Sequence, residues 1–221
     1  MVKQERAART RRALIRAGAE VFAREGFVSA SLSAISRRAG VSSGALHFHF
    51  ESKKALAEAV EGEALKEVRR IAREAAARDG RALAGLVDAT HGLVNRIAED
   101  VVVRAGFELS GAPGRAGGPT LRREWQQWVE QMVRRSDQEG WLAPGVSADD
   151  AAAAIVAATT GFEVLGAEDS TWLSQKKVAG FWELLLPRLT ERHAQMSPGW
   201  SAHAAAAAHP AEHGTAPDSR P

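Results

Sequence analysis

Cysteine is absent from all 221 residues, which excludes disulfide frameworks, thiolate nucleophiles and cysteine metal sites. Tyrosine is absent too, aromatic residues make up only 6% of the chain, and no alternating runs flank an Asn-Gly or Asp-Gly pair, so the material of a sheet is missing. No run of 18 uncharged apolar residues occurs, and the first six residues lead straight into a basic amphipathic stretch. The expectation is a soluble cytoplasmic protein with no membrane partner. What is present is a globular composition, 45% apolar and 25% charged, in a chain long enough for one small core domain and an accessory unit.

Helical periodicity fills the chain. Arg9 to Glu25 carries Leu14, Ala17 or Gly18, and Val21 or Phe22 on one face, and Gly26 supplies a stop. Ser31 is placed to cap a short helix bearing Leu32, Ile35 and Ala39, which Gly40 ends. Ser43 to Phe50 forms a third helix on the Leu46 and Phe50 pair, and Ser52 caps a long fourth one running to about Arg78. Further helices are predicted near 82–97, 100–110, 120–139, 148–166 and 172–194, with a Gly/Pro-rich connection from Gly111 to Pro119. The stretch 149–166 is apolar almost all round and is expected to be buried on more than one side, as a dimer interface would bury it. From Ser197 onward the Ala, His, Pro, Gly and Ser composition reads as a disordered tail. The fold class is all-α, divided into 1–51, 52–196 and the tail 197–221.

Charge is unevenly shared along that chain. Residues 1–56 hold eleven Lys/Arg against four Asp/Glu, net +7, which leaves net −5 for the rest of a chain of net +2. A basic first quarter on a mildly acidic body suits a module that meets a polyanion, joined to one that does not. Within that quarter, Ser31 to Phe50 reads as a helix, a tight glycine turn and a second short helix, which is helix-turn-helix spacing. The second helix opens on Ser42, Ser43 and Gly44, groups small enough for close approach to a phosphate or base edge, and turns Ser43, His47 and His49 outward. Arg37, Arg38, Lys53 and Lys54 flank it with positive charge.

The string from Gly26 to Leu56, with its core AGVSSGALHFHFESKKAL, resembles the signature block of the TetR family of dimeric bacterial repressors, over about 45 residues from Thr10 to Leu56. The resemblance implies a helix-turn-helix DNA-binding unit at 1–51, a ligand-binding and dimerisation unit at 52–196, no cofactor and no metal. By the same resemblance Ser42, Ser43, Gly44, His47, Phe48 and His49 lie at or near DNA, Ser31 and Lys53 touch phosphate, and Arg38 adds charge to that face. The chain departs from the pattern at His47, where the family commonly has a tyrosine hydroxyl on phosphate, which makes this contact weaker or pH-dependent. Ser43 stands where many relatives carry lysine, which removes a direct guanine contact.

Further along, Val101 to Leu109, VVVRAGFEL, and the Glu124-Trp125 pair are similar to the γ-butyrolactone receptor branch of the family, which implies a ligand-pocket role for Trp125. A pocket glutamine common in that branch falls on Ala64, and the basic pI of 9.3 is similar to that of pseudo-receptors rather than true receptors. Candidate ligand residues are Phe107, Trp125, Trp128, Thr160, Phe162 and Trp182, with Thr159 as the other hydroxyl on the apolar helix. Trp125, Trp128 and Met132 at i, i+3, i+7 also fit plain core packing, and a helical threonine also bonds back to its own backbone.

Enzyme and architectural readings fit the sequence less well. Gly40 to Gly44 matches the G-x-S-x-G elbow of hydrolases, but a helix rather than a strand precedes it. An all-α enzyme would use Glu108 or Glu163 with His91 as acid and base and would leave the basic first quarter unexplained. A ligand-independent architectural DNA binder would need no pocket. His47 and His49 point about 200° apart on a helix and share no ion, and His203, His209 and His213 lie in the tail. The leading expectation is a homodimeric repressor that binds a double-stranded, pseudo-palindromic operator and is released by a small lipophilic effector.

Overall fold

The computed structural model describes residues 2–77, 82–111 and 121–190, and the described residues form nine α-helices and one short 3-10 turn, with no strand among them. The Gly111–Pro119 connection, apart from Gly111 itself, and the tail with its three histidines lie outside the described residues.

Helix α1 spans Val2–Ser29, starting a turn and more before the expected Arg9, and at Gly26 (φ 74, ψ 162) the backbone leaves the helical region, so the first helix stops there as expected and a short second helical segment continues to Ser29. The basic, alanine-rich residues before Arg9 are good helix formers, which the search for an apolar stripe overlooked. Helix α2, Leu32–Ala39, starts where the Ser31 hydroxyl accepts from the Ala34 amide at 3.2 Å. It stops at Gly40, in the left-handed region at φ 67, where amides of Gly40 and Val41 close back on Arg37 and Ser36 carbonyls. Helix α3, Ser43–His49, is capped by Ser42 and terminated at Phe50; helix α4, Lys53–Ala77, is capped by Ser52, whose hydroxyl accepts from Ala55.

The body holds α5 (Ala82–Glu99), α6 (Val101–Gly111), α7 (Leu121–Gln138), α8 (Ala148–Glu168) and α9 (Gln175–Leu189). The single helix expected at 172–194 is thus broken. Ser170–Leu173 forms the 3-10 turn, Ser174 restarts the chain, and Thr190 ends α9 through its amide on the Leu186 carbonyl.

Two apolar cores result. One joins α1, α2 and α3 to Leu56, Ala57 and Val60 of α4, and the other fills the body from Ala64 onward. Both α4 and α6 serve the two cores at once, since Ala105 and Leu109 of α6 face the first while Val103 and Phe107 face the second. The first packing unit therefore runs past residue 51. The α4 and α6 backbones cross so closely that a Cβ on Gly106 would stand 2.4 Å from that of Ala64. Glu67 of α4 is gripped by Arg70 and by Arg96 of α5, each at 2.6 Å, and these two guanidiniums hold its carboxyl below the usual range.

One face of α8 is buried, through Ile155, Thr159, Phe162 and Gly166, whereas Ala153, Ala154, Ala157, Val164 and Leu165 are exposed. Within one chain, then, the expected burial on more than one side is not met. Helix α8 is also the one helix among the described residues long and apolar enough to cross a membrane, yet it packs on α7 and carries the buried Glu163.

Candidate functional site

Helix α3 is short because it is bounded by two chain-fixed events, the Ser42 cap and the insertion of Phe50 into the first core. Leu46 and Phe50 anchor it from below, and Ser42, Ser43, Gly44, His47 and Phe48 are left exposed on one surface. The Phe48 ring, 82% exposed, is the large apolar group that a soluble surface would least tolerate without a partner. A Cβ at Gly44 would meet nothing within 4 Å, so nothing in the protein's own packing asks for glycine there. His49 is half-buried, edge-on to Phe48 with ring centroids 5.2 Å apart, rather than facing outward as expected.

The flanking groups are more heavily engaged than the sequence suggested. The Arg38 guanidinium is taken by Glu20 of α1, with Arg16 on the same carboxylate at 3.4 Å, whereas Arg37 is exposed with no ion pair among the described residues. Ser31 holds its α2 cap and lies 3.1 Å from the Ser33 hydroxyl. Lys53 reaches back across the unit: its ammonium donates to the carbonyls of Val28 and Ala30 at 2.9 and 2.8 Å and sits 4.9 Å from the Phe27 ring centre. It thereby closes the end of α1 with a charge drawn from α4, leaving one N–H of three for any phosphate. Contacts 25 and 23 residues apart of this kind carry no sequence signal. The Ser42 hydroxyl, the would-be hydrolase nucleophile, is a helix cap accepting from Ala45 at 3.2 Å.

In the body the six candidate ligand residues do not line one open chamber. Phe107, Trp125, Phe162 and Trp182 are buried in the second core, Trp128 is partly buried against it, and Thr160 is half-exposed. Trp125 donates its indole N–H to Thr159 at 2.9 Å, and Thr159 in turn donates to the carbonyls of Ile155 and Val156. Of the two hydroxyls, Thr159 is the buried one, and its proton and one lone pair are already engaged. Trp125 and Trp128 lie 5.1 Å apart, centre to centre. The Trp182 N–H is fully buried and meets no acceptor among the described residues. Ala64 is wholly buried against Gly106, so the long polar side chain of the receptor branch has no room at this position.

Two further ion pairs, each with two hydrogen bonds, tie α7 to its neighbours. Arg122 of α7 holds the buried Glu163 of α8 with bonds of 2.8 and 3.0 Å, and Arg69 of α4 holds Glu124 of α7 with bonds of 2.8 and 3.3 Å. Glu108, half-buried and near Glu163, has its carboxyl pushed up by burial, with Arg104 opposing. His91 is 2.6 Å from Gln175. Glu163 and His91, two of the three acid-base candidates, are thus engaged in helix-to-helix contacts.

The sequence pattern of bacterial regulatory proteins of the tetR family matches residues 14–60, the part of the first core that α1 to α4 supply. The A-factor receptor protein of Streptomyces griseus is 32% identical over 204 residues, covering 92% of this chain and 70% of that protein. Among solved structures, a γ-butyrolactone receptor described as ArpA-like superposes with a TM-score of 0.78 at 27% identity, covering 91% of this chain and 98% of the other. CprB, a TetR-family protein of Streptomyces coelicolor in complex with its biological operator sequence, superposes at 0.73 and 27% identity, over 92% and 96% of the two chains. A shared amino-terminal unit together with a shared body at these lengths leaves one conclusion: the chain belongs to the TetR family of bacterial regulatory proteins and resembles its γ-butyrolactone receptors.

Proposed function

We propose that two copies of the chain bind a pseudo-palindromic operator through α3, repress transcription there, and let go when a small lipophilic metabolite enters the body. The observation that carries this reading is the exposed surface of Ser43, Gly44, His47 and Phe48 on a rigidly anchored helix, with open space where a Gly44 side chain would be. The α3 amino-terminus and Ser42 meet phosphate, Ser43 and Gly44 approach base edges, and Phe48 offers an apolar contact to a thymine methyl. Arg37, Ser31 and the last N–H of Lys53 add backbone contacts, and His47 reads phosphate in place of tyrosine. The complex of a relative with its operator supports the DNA partner.

The dimer follows from α8 and α9. Gly161 and Gly180 are mid-helix glycines whose Cβ would meet nothing within 4 Å, and Leu184, one turn after Gly180, is 81% exposed. Glycine costs about 1 kcal/mol inside a helix, so its use in open space favours a second helix approaching closely. A two-fold then sets the recognition helices about 34–36 Å apart, or a related spacing. The effector is a metabolite other than a simple γ-butyrolactone, because Ala64 and Gly106 fill the place of the branch's polar contact.

Fluorescence polarisation with labelled fragments of the upstream region tests the reading. Specific binding that resists random competitor, falls steeply with salt and is lost in a folded Gly44→Leu variant is expected. Equal affinity for all sequences makes the chain an architectural binder instead.

A further inference from the structure

Between α4 and α7 runs an open groove of about 400 Å3, lined by one of the candidate ligand residues, Trp128, and by charged side chains that no assignment above uses. Its floor is apolar, made of Val68 and Ala72 from α4 and the ring of Trp128 from α7. Its rim is cationic, with Lys66, Arg69 and Arg73 on the α4 side against the single carboxylate of Glu124 on the α7 side. The three cations are not equivalent. Lys66 is 2.8 Å from Glu63, Arg69 holds Glu124 through two bonds, and Arg73 donates to the Arg69 carbonyl at 3.2 Å and has no acidic partner among the described residues. The groove therefore presents a flat apolar surface beside a guanidinium already configured to receive a carboxylate, with a second guanidinium whose charge is uncompensated.

Resting on the reading of the chain as an effector-released regulator, we infer that this groove is where the effector is first held, and that the effector is a planar organic anion, an aromatic or polycyclic carboxylate. Its ring lies on Trp128 and its carboxylate takes Arg73 and displaces Glu124 from Arg69. That exchange opens the Arg69–Glu124 pair at the groove mouth, which joins the helix that carries the DNA-binding unit to the helix that packs on α8. Trp128 stacks on Trp125, and Trp125 bonds to Thr159 of α8, so a ligand on the floor also bears on the helix assigned to the dimer. An uncharged lipophile would gain the floor and nothing from the rim. It would also leave the link closed.

Pyrenebutyrate and its methyl ester are a matched pair of probes, equal in their flat apolar body and differing in charge. Energy transfer from tryptophan to pyrene in the full-length protein reports binding, and operator polarisation is read on the same samples. The acid is expected to bind at least tenfold more tightly than the ester and to release the operator. Arg73→Glu should abolish the preference for the acid while leaving the ester unchanged, and Glu124→Gln, which frees Arg69, should tighten the acid several-fold. Arg73→Gln serves the same purpose if charge reversal harms folding, with an intermediate loss expected. Equal binding of acid and ester overturns the inference. So does acid binding indifferent to both sites, and so does tight acid binding that leaves operator affinity unchanged. A protein that binds no operator in any sample refutes the regulator reading itself, whereas normal operator binding without acid preference refutes the groove alone.

Discussion

Adding one methyl group at Gly106 tests how the two cores are joined. The new carbon would stand 2.4 Å from the Ala64 Cβ, with Leu121 and the Glu61 backbone next at 3.5 and 3.8 Å. Carbon atoms rest about 3.5–4.0 Å apart, and a Cβ is fixed to its helix, so no rotamer change relieves the clash and α4 must move off α6 by on the order of 1 Å. Overpacking of this kind costs about 1–3 kcal/mol, and a rigid contact belongs at the upper end. Alanine returns about 1 kcal/mol of helix propensity. The net loss is about 1–2 kcal/mol, which with a urea slope near 2 kcal/mol/M lowers the midpoint by roughly 0.5–1 M at fixed protein concentration. Operator affinity should fall by more than this stability loss explains, because α4 carries the recognition unit. Ala64→Gly destabilises the wild-type background but should rescue Gly106→Ala, giving a coupling energy of about 2 kcal/mol in a double-mutant cycle. A Gly106→Ala midpoint at or above wild type, or an Ala64→Gly cost equal in both backgrounds, means the crossing is not tight and the reasoning fails.

Ala157→Arg places a charge on the exposed small-residue face of α8 and should yield a folded monomer by sedimentation, with operator binding lost alongside. A dimer that tolerates the arginine moves the interface elsewhere. Glu108, whose folded carboxyl is raised from 4.5 by burial, binds its proton more readily folded than unfolded, so its ionised form weakens the fold at neutral pH and the penalty disappears as pH falls through the raised value. Glu108→Gln should accordingly melt above wild type at neutral pH, with the gap closing towards pH 4.5; a gap that widens on acidification reverses the sign and the argument.

The recognition unit was legible because its signals are local. Ser31, Gly40, Ser42 and Ser52 each fix a boundary through groups within a few residues, and each does so here. Boundaries set by continuation rather than by caps were missed, as at the start of α1 and at the break before Ser174, where no glycine or proline warns of a stop. Motif and exposure agree on the residues proposed for DNA, except where a distant partner intervenes: Glu20 on Arg38, and two carbonyls on Lys53. The body was opaque for a different reason. An aromatic at i, i+3, i+7 looks alike whether it lines a cavity or fills a core, and Trp125 is set apart from Trp128 by its burial and by a hydroxyl 34 residues on. The Arg69–Glu124 link, 55 residues apart, left no trace in either periodicity or composition.

Because α4 and α6 each contribute one face to either core, the molecule has no seam along which a head could be detached from its body. Cutting after residue 60 would strip Ala105 and Leu109 from the first core, and grafting a relative's head would set foreign side chains against them. Diversification of the amino-terminal unit is therefore bound to the sequence of a helix buried in the body. Chimeras made for new promoter or inducer combinations need both sides of that helix exchanged as a set.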